Sequence, residues 1–175
     1  AGPKTQKLLK RNGCDMTKQI ELTQGKVALV SDHRFEYLNQ WKWHSFFNGR
    51  RWYAVRKEGL SLFRKTFYMH REIMGVVDPK IQVDHWDNDG LNNQDENLRV
   101  CTNAENGRNR GKTKNNTTGF KGVNKHNQKF HAEIWVDGKK IYLGSFSNPK
   151  DAALAYNEAA KQYHGEFAYL NQVQL

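Results

Sequence analysis

The alternation of apolar and polar positions is clearest between residues 119 and 146. The apolar residues Phe130, Ala132, Ile134 and Val136 occupy every second position. The positions between them hold His131, Glu133 and Trp135. This period of two predicts a half-buried strand. Asp137-Gly138 is a strong hairpin signal, and the run after it alternates again. The pattern predicts a three-stranded antiparallel sheet with one apolar face.

A helix follows this sheet in the sequence. Asn148 is a suitable N-cap, and Pro149 suits the first helical position. From there to about residue 163, one stripe of the helix carries Ala152, Tyr156, Ala159 and Tyr163. We therefore expect the sheet to pack its apolar face on this helix. Its other face then turns towards solvent or a partner and carries His131, Glu133, Trp135, Lys140 and Tyr142.

Short strands dominate the pattern from residue 16 to 80. Val27–Val30 is apolar, and Trp52–Arg56 with Phe63–Tyr68 resembles a hairpin. Met69–Met74 predicts a short helix that ends before Gly75. Four aromatic residues in this region are expected in the core: Trp41, Trp43, Phe46 and Phe47.

The segment 81–110 predicts a strand, a loop, a second strand and a helix. The strands are Ile81–Trp86 and Leu98–Thr102, and Thr102 or Asn103 caps the helix. The fold class is therefore α+β, with a β-rich region before this unit and a sheet packed on one helix after it. The expected divisions are a leader or extension at 1–15, a first domain at 16–110, a basic linker at 111–117 and a second domain at 118–175.

Charge adds the first indication of a partner. The 175 residues contain 28 Lys and Arg against 18 Asp and Glu, a formal net charge of +10. A chain this basic usually meets phosphate. Residues 81–100 are the exception, because five acidic residues and one basic residue fall there. This acidic island indicates a cation site inside a surface that binds a polyanion.

Other compositional features exclude several classes. The apolar runs are too short for a membrane span, and two cysteines cannot build a disulfide framework or a four-thiolate zinc site. We expect an intracellular protein, in the cytoplasm of a bacterial or phage-infected host cell.

The acidic island holds residues suited to phosphodiester hydrolysis. Asp84 and Asn106 offer the oxygen ligands that Mg²⁺ prefers, provided that the helix folds back on the strand. His85 offers a base whose ordinary pKa of about 6.5 suits neutral pH. Neighbouring strand residues point to opposite faces, so Asp84 and His85 can act together only at a strand end or a bulge.

The same residues carry a resemblance to a known family. V-D-H-x-D-x-D-G-L-x-N-x-x-x-N-L-R-V-x-T-x-x-x-N resembles the HNH nuclease motif of phage and intron homing endonucleases, over roughly residues 16–110. The resemblance implies a ββα-metal unit in which Asp84 and Asn106 hold one Mg²⁺ or Mn²⁺ and His85 is the general base. It gives Asn97 one of two roles, orienting His85 or holding the connecting loop. The motif has Asn106 where the family name has histidine.

The helix before the motif adds two candidates. Arg71 is expected to make a phosphate contact or a structural contact. His70 is expected to pack, with contact to the scissile phosphate as the alternative.

The carboxy-terminal unit is similar to the AP2/ERF DNA-binding domain over about residues 118–171. The matching stretches are G-F-K-G-V, K-F-H-A-E-I, Y-L-G-S-F, D-A-A-L-A-Y-N-E-A-A and Y-L-N. The resemblance implies a sheet that lies in the major groove and contacts DNA through Lys121, Asn124, His126, Glu133, Trp135, Lys140 and Tyr142. Asn124 and His126 replace two arginines of the family. The basic linker is expected to follow the DNA backbone or a minor groove with Arg108, Arg110, Lys112 and Lys114.

Together these features predict a site-specific DNA endonuclease of the homing type that cuts double-stranded DNA as a monomer. One alternative is a DNA-binding regulator of the AP2 type in which the HNH unit is a relic and does not cleave. A second is an RNA-binding protein, although the sequence lacks an RNP-type aromatic motif.

Overall fold

A computed structural model describes residues 16–60 and 64–174, so the predictions for residues 1–15 and for Phe63 lie outside the described residues. The amino-terminal part contains β1 (Thr17–Glu21), β2 (Val27–Ser31), α1 (Asp32–Leu38), β3 (His44–Phe47), β4 (Trp52–Glu58), β5 (Lys65–Tyr68) and α2 (Met69–Ile73). The middle part contains β6 (Gln82–His85), β7 (Asn92–Asn93), β8 (Leu98–Cys101) and α3 (Asn103–Asn109). The carboxy-terminal part contains β9 (Val123–His126), β10 (Lys129–Val136), β11 (Lys139–Phe146) and α4 (Pro149–His164). Within the described residues, short 3₁₀ turns lie at Thr23–Gly25, Asp95–Asn97 and Gly165–Phe167.

The amino-terminal core lies under a sheet of order β1-β2-β7. β1 and β2 are antiparallel, and β2 pairs with β7 in parallel over two residues. Apolar side chains from the strands and α1 meet beneath it, and the Trp43 indole there donates a 2.8 Å hydrogen bond to the Leu38 carbonyl. Because β7 belongs to the loop between β6 and β8, this sheet ties the loop to the core.

A second sheet has the order β3-β4-β5, with β4 in the centre. Its pairing confirms the hairpin predicted between residues 52 and 68. The expected burial of four aromatics is only partly right. Trp43 is buried, but Phe46 and Phe47 are 41% and 47% exposed because they lie at the end of the edge strand β3. There they contact the rings of Tyr68 and Trp52.

The middle part forms two antiparallel strands and a helix in the predicted order. β6 pairs with β8, and α3 packs on β6. Thr102 and Glu105 close a capping box at the start of α3, which fixes where the helix begins. The loop after β6 packs closely on β4 at Gly90. A Cβ atom at this position would lie 2.3 Å from the Trp52 carbonyl oxygen, so only glycine fits there.

The carboxy-terminal part is a three-stranded antiparallel sheet of order β11-β10-β9, packed on α4. A β-bulge interrupts β10 between Ala132 and Glu133. The predicted helix stripe is buried at Ala152, Tyr156 and Ala159, but Tyr163 is 41% exposed. In the last turn of α4, His164 makes the contact with the sheet, 2.9 Å from the Trp135 carbonyl. The chain as described is a mixture of helices and several small antiparallel sheets, which confirms the predicted α+β class.

Contacts join the middle and carboxy-terminal parts of the chain. The Arg99 guanidinium on β8 donates to the carbonyl of Glu166 and lies 4.1 Å from the Phe167 ring centroid. Lys121 donates a 2.5 Å hydrogen bond to the carbonyl of Arg108, in the last turn of α3. No described helix is long and apolar enough to cross a membrane.

Candidate active site

The two central candidates occupy the last two positions of β6. Asp84 and His85 are each only 2% exposed. Adjacent strand residues normally point apart, and the end of the strand is the place where both can serve one site. Asp84 and His85 therefore lie at a strand end, as their joint action in one site requires.

Asp84 has one oxygen engaged and one unengaged. Its Oδ2 accepts hydrogen bonds from Arg99 (2.8 Å from Nη2) and from the Asn109 amide (2.8 Å). Its Oδ1 is buried and accepts no hydrogen bond from any described residue. A buried carboxylate oxygen without a partner is costly unless a cation or a donor reaches it. Oδ1 is therefore a suitable ligand for a hard divalent cation.

His85 is held in a form that can accept a proton. Its Nε2 lies 3.4 Å from Asn93 Oδ1, while the Asn93 amide nitrogen donates to the Leu91 carbonyl at 3.1 Å. Because Asn93 presents an acceptor, Nε2 carries the hydrogen and Nδ1 keeps its lone pair. Burial lowers the pKa of His85 below its ordinary value, which keeps the ring neutral at neutral pH.

Asn97 holds the connecting loop and does not contact His85. Its amide nitrogen donates to Asp87 Oδ1 at 3.0 Å and to the Asn92 carbonyl at 2.8 Å. Its amide oxygen accepts from the backbone N–H of Asp87 at 3.1 Å. Of the two roles considered from the sequence, the contacts agree with the loop-holding one.

Asn106 lies on α3 and lines a cavity of about 260 Å³. Other side chains that line this cavity include Asn48, Tyr53, Tyr68, His70 and Arg71. Among the described residues, Asp84 receives its α3 hydrogen bond from Asn109 rather than from Asn106. Asp84 and His85 are not among the residues that line this cavity.

His70 and Arg71 border the same cavity in different ways. The Arg71 guanidinium donates to the backbone carbonyls of Ile81 (2.8 Å) and Asp78 (2.7 Å), which is a structural contact. The His70 ring is buried, and its centroid lies 5.0 Å from that of His85. Burial, with smaller contributions from His85 and Arg71, holds the pKa of His70 well below the ordinary histidine value.

The donor set of this region suits a hard cation. The described residues contain no cluster of three His, Cys, Asp or Glu side chains that could hold a metal ion. Burial, Asp84 and Glu105 raise the pKa of Cys101 to about 11, so it offers no thiolate at neutral pH. Asp84 Oδ1 and the Asn106 amide remain, and these are the oxygen donors of Mg²⁺ or Mn²⁺ sites.

Comparison with known proteins shows what this region is similar to. Residues 69–108 match the HNH endonuclease family. An uncharacterized HNH endonuclease of Acanthamoeba polyphaga mimivirus is 29% identical over 149 residues, covering 85% of this chain and 76% of that protein. HNH endonucleases act on DNA and in general depend on a divalent metal. The two matches support a nuclease of HNH type.

A second match is shorter. A dehydration-responsive element-binding protein of Arabidopsis thaliana, as it is named, is 49% identical over 45 residues. The match covers 25% of this chain and 29% of the plant protein. No solved structure gave a significant match.

Three residues that support Asp84 and His85 were not predicted from the sequence. Arg99 and Asn109 bond Asp84, and Asn93 bonds His85. Arg99 could have been found from strand register, because it stands opposite Asp84 across the β6–β8 pair. The contacts of Asn109 and Asn93 depend on how the loop and α3 fold back, which residue spacing does not reveal.

The outward face of the carboxy-terminal sheet is aromatic and charged. Trp135 and Tyr142 are 61% and 56% exposed. Lys140 forms a 3.0 Å ion pair with Glu133 and lies 5.8 Å from the Trp135 ring centroid. Asn124 donates to Glu133 at 3.2 Å, so Glu133 is held by two partners.

The remaining predicted DNA contacts are distributed around this sheet. The His126 ring stacks on His131 with centroids 4.8 Å apart. Arg108 pairs with Asp137 at 3.0 Å, and Lys121 is half-buried against the end of α3, where it lines one cavity with Asn124, Glu133 and Trp135. The exposed linker residues are Arg110, Lys112 and Lys114.

Proposed function

We propose that this protein is a site-specific DNA endonuclease of the homing type that hydrolyses one phosphodiester bond of double-stranded DNA per binding event. The observation that carries the proposal is the buried pair at the end of β6. Asp84 has a buried Oδ1 that accepts no hydrogen bond from the described residues, and the contact of His85 Nε2 with Asn93 Oδ1 favours the tautomer in which Nδ1 can accept a proton. This pair lies inside the segment that matches HNH endonucleases.

Asp84 and Asn106 are the residues that would hold one Mg²⁺ or Mn²⁺. When bound, such an ion neutralises the phosphate and stabilises the departing oxygen. His85 accepts the proton of the attacking water at Nδ1, which burial keeps unprotonated at neutral pH. The products implied by the resemblance are a 5′-phosphate and a 3′-hydroxyl.

Neighbouring side chains orient these groups. Arg99 and Asn109 fix the Asp84 carboxylate from two sides, and Asn93 fixes the tautomer of His85. Asn97 holds the loop that follows β6. Such prior positioning lowers the reorganisation that the reaction needs.

Recognition of DNA is assigned to the carboxy-terminal module. Exposed Trp135 and Tyr142 beside Lys140 offer stacking and charge for a DNA groove, and the short match to a plant element-binding protein supports this role. The linker cations supply contacts to the backbone. One candidate metal site per chain favours a monomer that nicks one strand. We place the reaction in the cytoplasm of a bacterial or phage-infected cell, and the viral relative supports an infected host.

The test is nicking of supercoiled plasmid DNA by the full chain with Mg²⁺ or Mn²⁺, with and without a chelator. We expect conversion to the open-circular form that stops when the metal is removed. Binding of the plasmid without cleavage under any of these metals would contradict the proposal and favour the non-cleaving regulator. A preference for RNA over duplex DNA would contradict it in favour of an RNA-binding protein.

A further inference from the structure

One cavity in the described part of the chain is separate from the cavity that Asn106 lines. It has a volume of about 630 Å³ and lies between the end of α3, the linker and the carboxy-terminal sheet. We call it the α3–sheet cleft. The residues of its lining that matter here are Arg50, Arg108, Arg110, Lys121 and Tyr156.

Among the cations that line the α3–sheet cleft, Arg50, Arg110 and Lys121 form no ion pair with a carboxylate of the described residues. Burial and the charges of Arg50 and Arg110 lower the pKa of Lys121 to about 8. Burial and its arginine neighbours also lower the pKa of Arg50. These cations therefore repel one another in the free protein, and a bound anion would relieve the repulsion.

The two acidic residues that line the cleft already have partners. Asp137 pairs with Arg108 at 3.0 Å, and Glu133 pairs with Lys140 at 3.0 Å. Neither is available to neutralise the three cations. The cleft consequently has an excess of positive charge that the described residues leave unpaired.

A buried neutral donor lies in the same lining. Tyr156 is 2% exposed, and its hydroxyl has no hydrogen-bond partner among the described residues. Its ring packs on Gly122, where a Cβ atom would lie only 2.1 Å from a ring carbon. The tyrosine is thus fixed in place while its polar atom lacks a partner, which is costly unless a ligand supplies an acceptor.

The position of the cleft connects it to the candidate active site. The turn between β3 and β4 contributes Asn48 to the active-site cavity and Arg50 to the α3–sheet cleft. In the same way, α3 contributes Asn106 to the first and Gly107 to the second. The two cavities therefore share the same two elements in their linings.

We propose that the α3–sheet cleft binds one backbone phosphate of DNA through Arg50, Arg110 and Lys121. Guanidinium forks and an ammonium group are the side chains that recognise phosphate, and the Tyr156 hydroxyl adds a neutral donor. A strand that crosses α3 can then place one phosphate in the cleft and another beside Asn106. This assignment rests on the proposed function only in taking DNA as the source of the phosphate.

The first experiment measures thermal unfolding of the full chain in potassium phosphate and in potassium chloride of equal ionic strength. We expect phosphate to raise the melting temperature of the wild-type protein by about 2–4 °C. Arg50→Gln should lose most of this rise, as should Arg110→Gln. Lys161→Gln is the matched control, because Lys161 is an exposed residue of α4 paired with Glu158, and it should keep the rise.

Tyr156→Phe distinguishes a ligand contact from a structural one. It removes only a hydroxyl that has no described partner, so the fold should be as stable in chloride as the wild type or more stable. In phosphate the gain in melting temperature should be smaller than for the wild type. An equal gain in phosphate for wild type, Arg50→Gln and Tyr156→Phe would overturn the proposal.

The second experiment separates DNA from free phosphate as the source. Binding of a labelled duplex is measured against salt concentration in the absence of divalent metal, which prevents cleavage. Arg50→Gln should lower the slope of log K against log salt by roughly 1, whereas Lys161→Gln should not. A phosphate effect on melting with an unchanged DNA slope would show that the cleft takes a free anion, and would overturn the assignment to DNA. A protein that passes both tests and never nicks plasmid would contradict the proposed endonuclease and leave the cleft assignment intact.

Discussion

The two regions that the proposal combines differ most in their contact with water. Asp84 and His85 are 2% exposed and held by neighbours with fixed geometry, whereas Trp135 and Tyr142 on the outward sheet face are more than half exposed. Hydrolysis needs a base and a ligand whose protonation and direction are set before the substrate arrives. Recognition of DNA needs exposed side chains that extend to the bases and a large contact area. Under the proposed function, each residue type therefore lies where its task requires it.

The arginine beside Asp84 and the cations of the α3–sheet cleft differ in whether a carboxylate pairs with them. Arg99, beside Asp84, bonds a carboxylate and a backbone carbonyl. Arg50 and Lys121, in the α3–sheet cleft, lie near other cations and pair with no described carboxylate. The paired Arg99 stabilises the structure, whereas the cations of the cleft are proposed to bind an anionic ligand. Changes in the first region should therefore affect cleavage or folding, and changes in the second should affect affinity.

The largest expected effect is that of Asp84→Asn on cleavage. The change keeps the shape and removes the charge that would hold the metal, so nicking should fall by about a thousandfold or more. Single-turnover nicking over a range of Mn²⁺ concentrations is the measurement. Full activity at low Mn²⁺ would show that Asp84 is not a ligand.

Arg99→Met should act on folding. It leaves the buried Asp84 carboxylate without its ion-pair partner, so the free energy of unfolding should fall by about 3 kcal/mol. Urea denaturation of the full chain measures the change. Arg64→Met, at an exposed arginine, is the control and should cost little. Equal stability of the two variants would contradict the central place given to the Arg99–Asp84 pair.

Trp135→Ala should alter which DNA sequences are bound. Loss of one good base contact costs about 1–3 kcal/mol, so preference at a few base pairs should weaken by roughly tenfold or more. Selection from a randomised duplex library reveals the preference. Tyr163→Ala removes a comparably exposed aromatic from α4 and should leave the preference unchanged. If both variants select the same sequences as the wild type, the sheet face does not read bases.

The smallest expected effect is the response of stability to mild acid. Burial lowers the pKa of His70 and of His85, so below pH 6.5 the unfolded chain binds protons that the folded chain excludes. Stability should therefore fall as the pH drops from 6.5, by at most about 1.4 kcal/mol per pH unit for each histidine. Urea denaturation at several pH values measures this. His70→Gln should reduce the slope, and an unchanged slope would mean that His70 is not excluded from protonation by burial.

Much of the fold follows from local pattern. The period of two at 130–136, the Asp137-Gly138 turn and the Asn148-Pro149 helix start each predict the element observed there. The pattern could not foresee that Phe46 and Phe47 lie on an edge strand, because exposure depends on which strand pairs beyond them. Nor could it predict the α3–sheet cleft, since Arg50 and Lys121 are 71 residues apart and only tertiary packing brings them together.

The candidate site residues on β6 could be predicted from the sequence, but the side chains that hydrogen-bond to them could not. Asp84 and His85 follow from residue chemistry together with the motif, and their place at a strand end is borne out by the bounds of β6. Asn93 and Asn109 act through long-range hydrogen bonds that depend on loop closure. Single asparagines in a polar loop give no signal of such a role in one sequence.

His85→Ala tests the central claim most directly, by comparing cleavage and affinity in the same protein. His85 is proposed to act on the attacking water, so nicking with Mg²⁺ or Mn²⁺ should fall by about 10²–10⁴-fold. Affinity for the same duplex, measured without metal, should stay within a few-fold because it comes from dispersed contacts. Nicking at the wild-type rate, or an equal loss of nicking and affinity, would contradict the account.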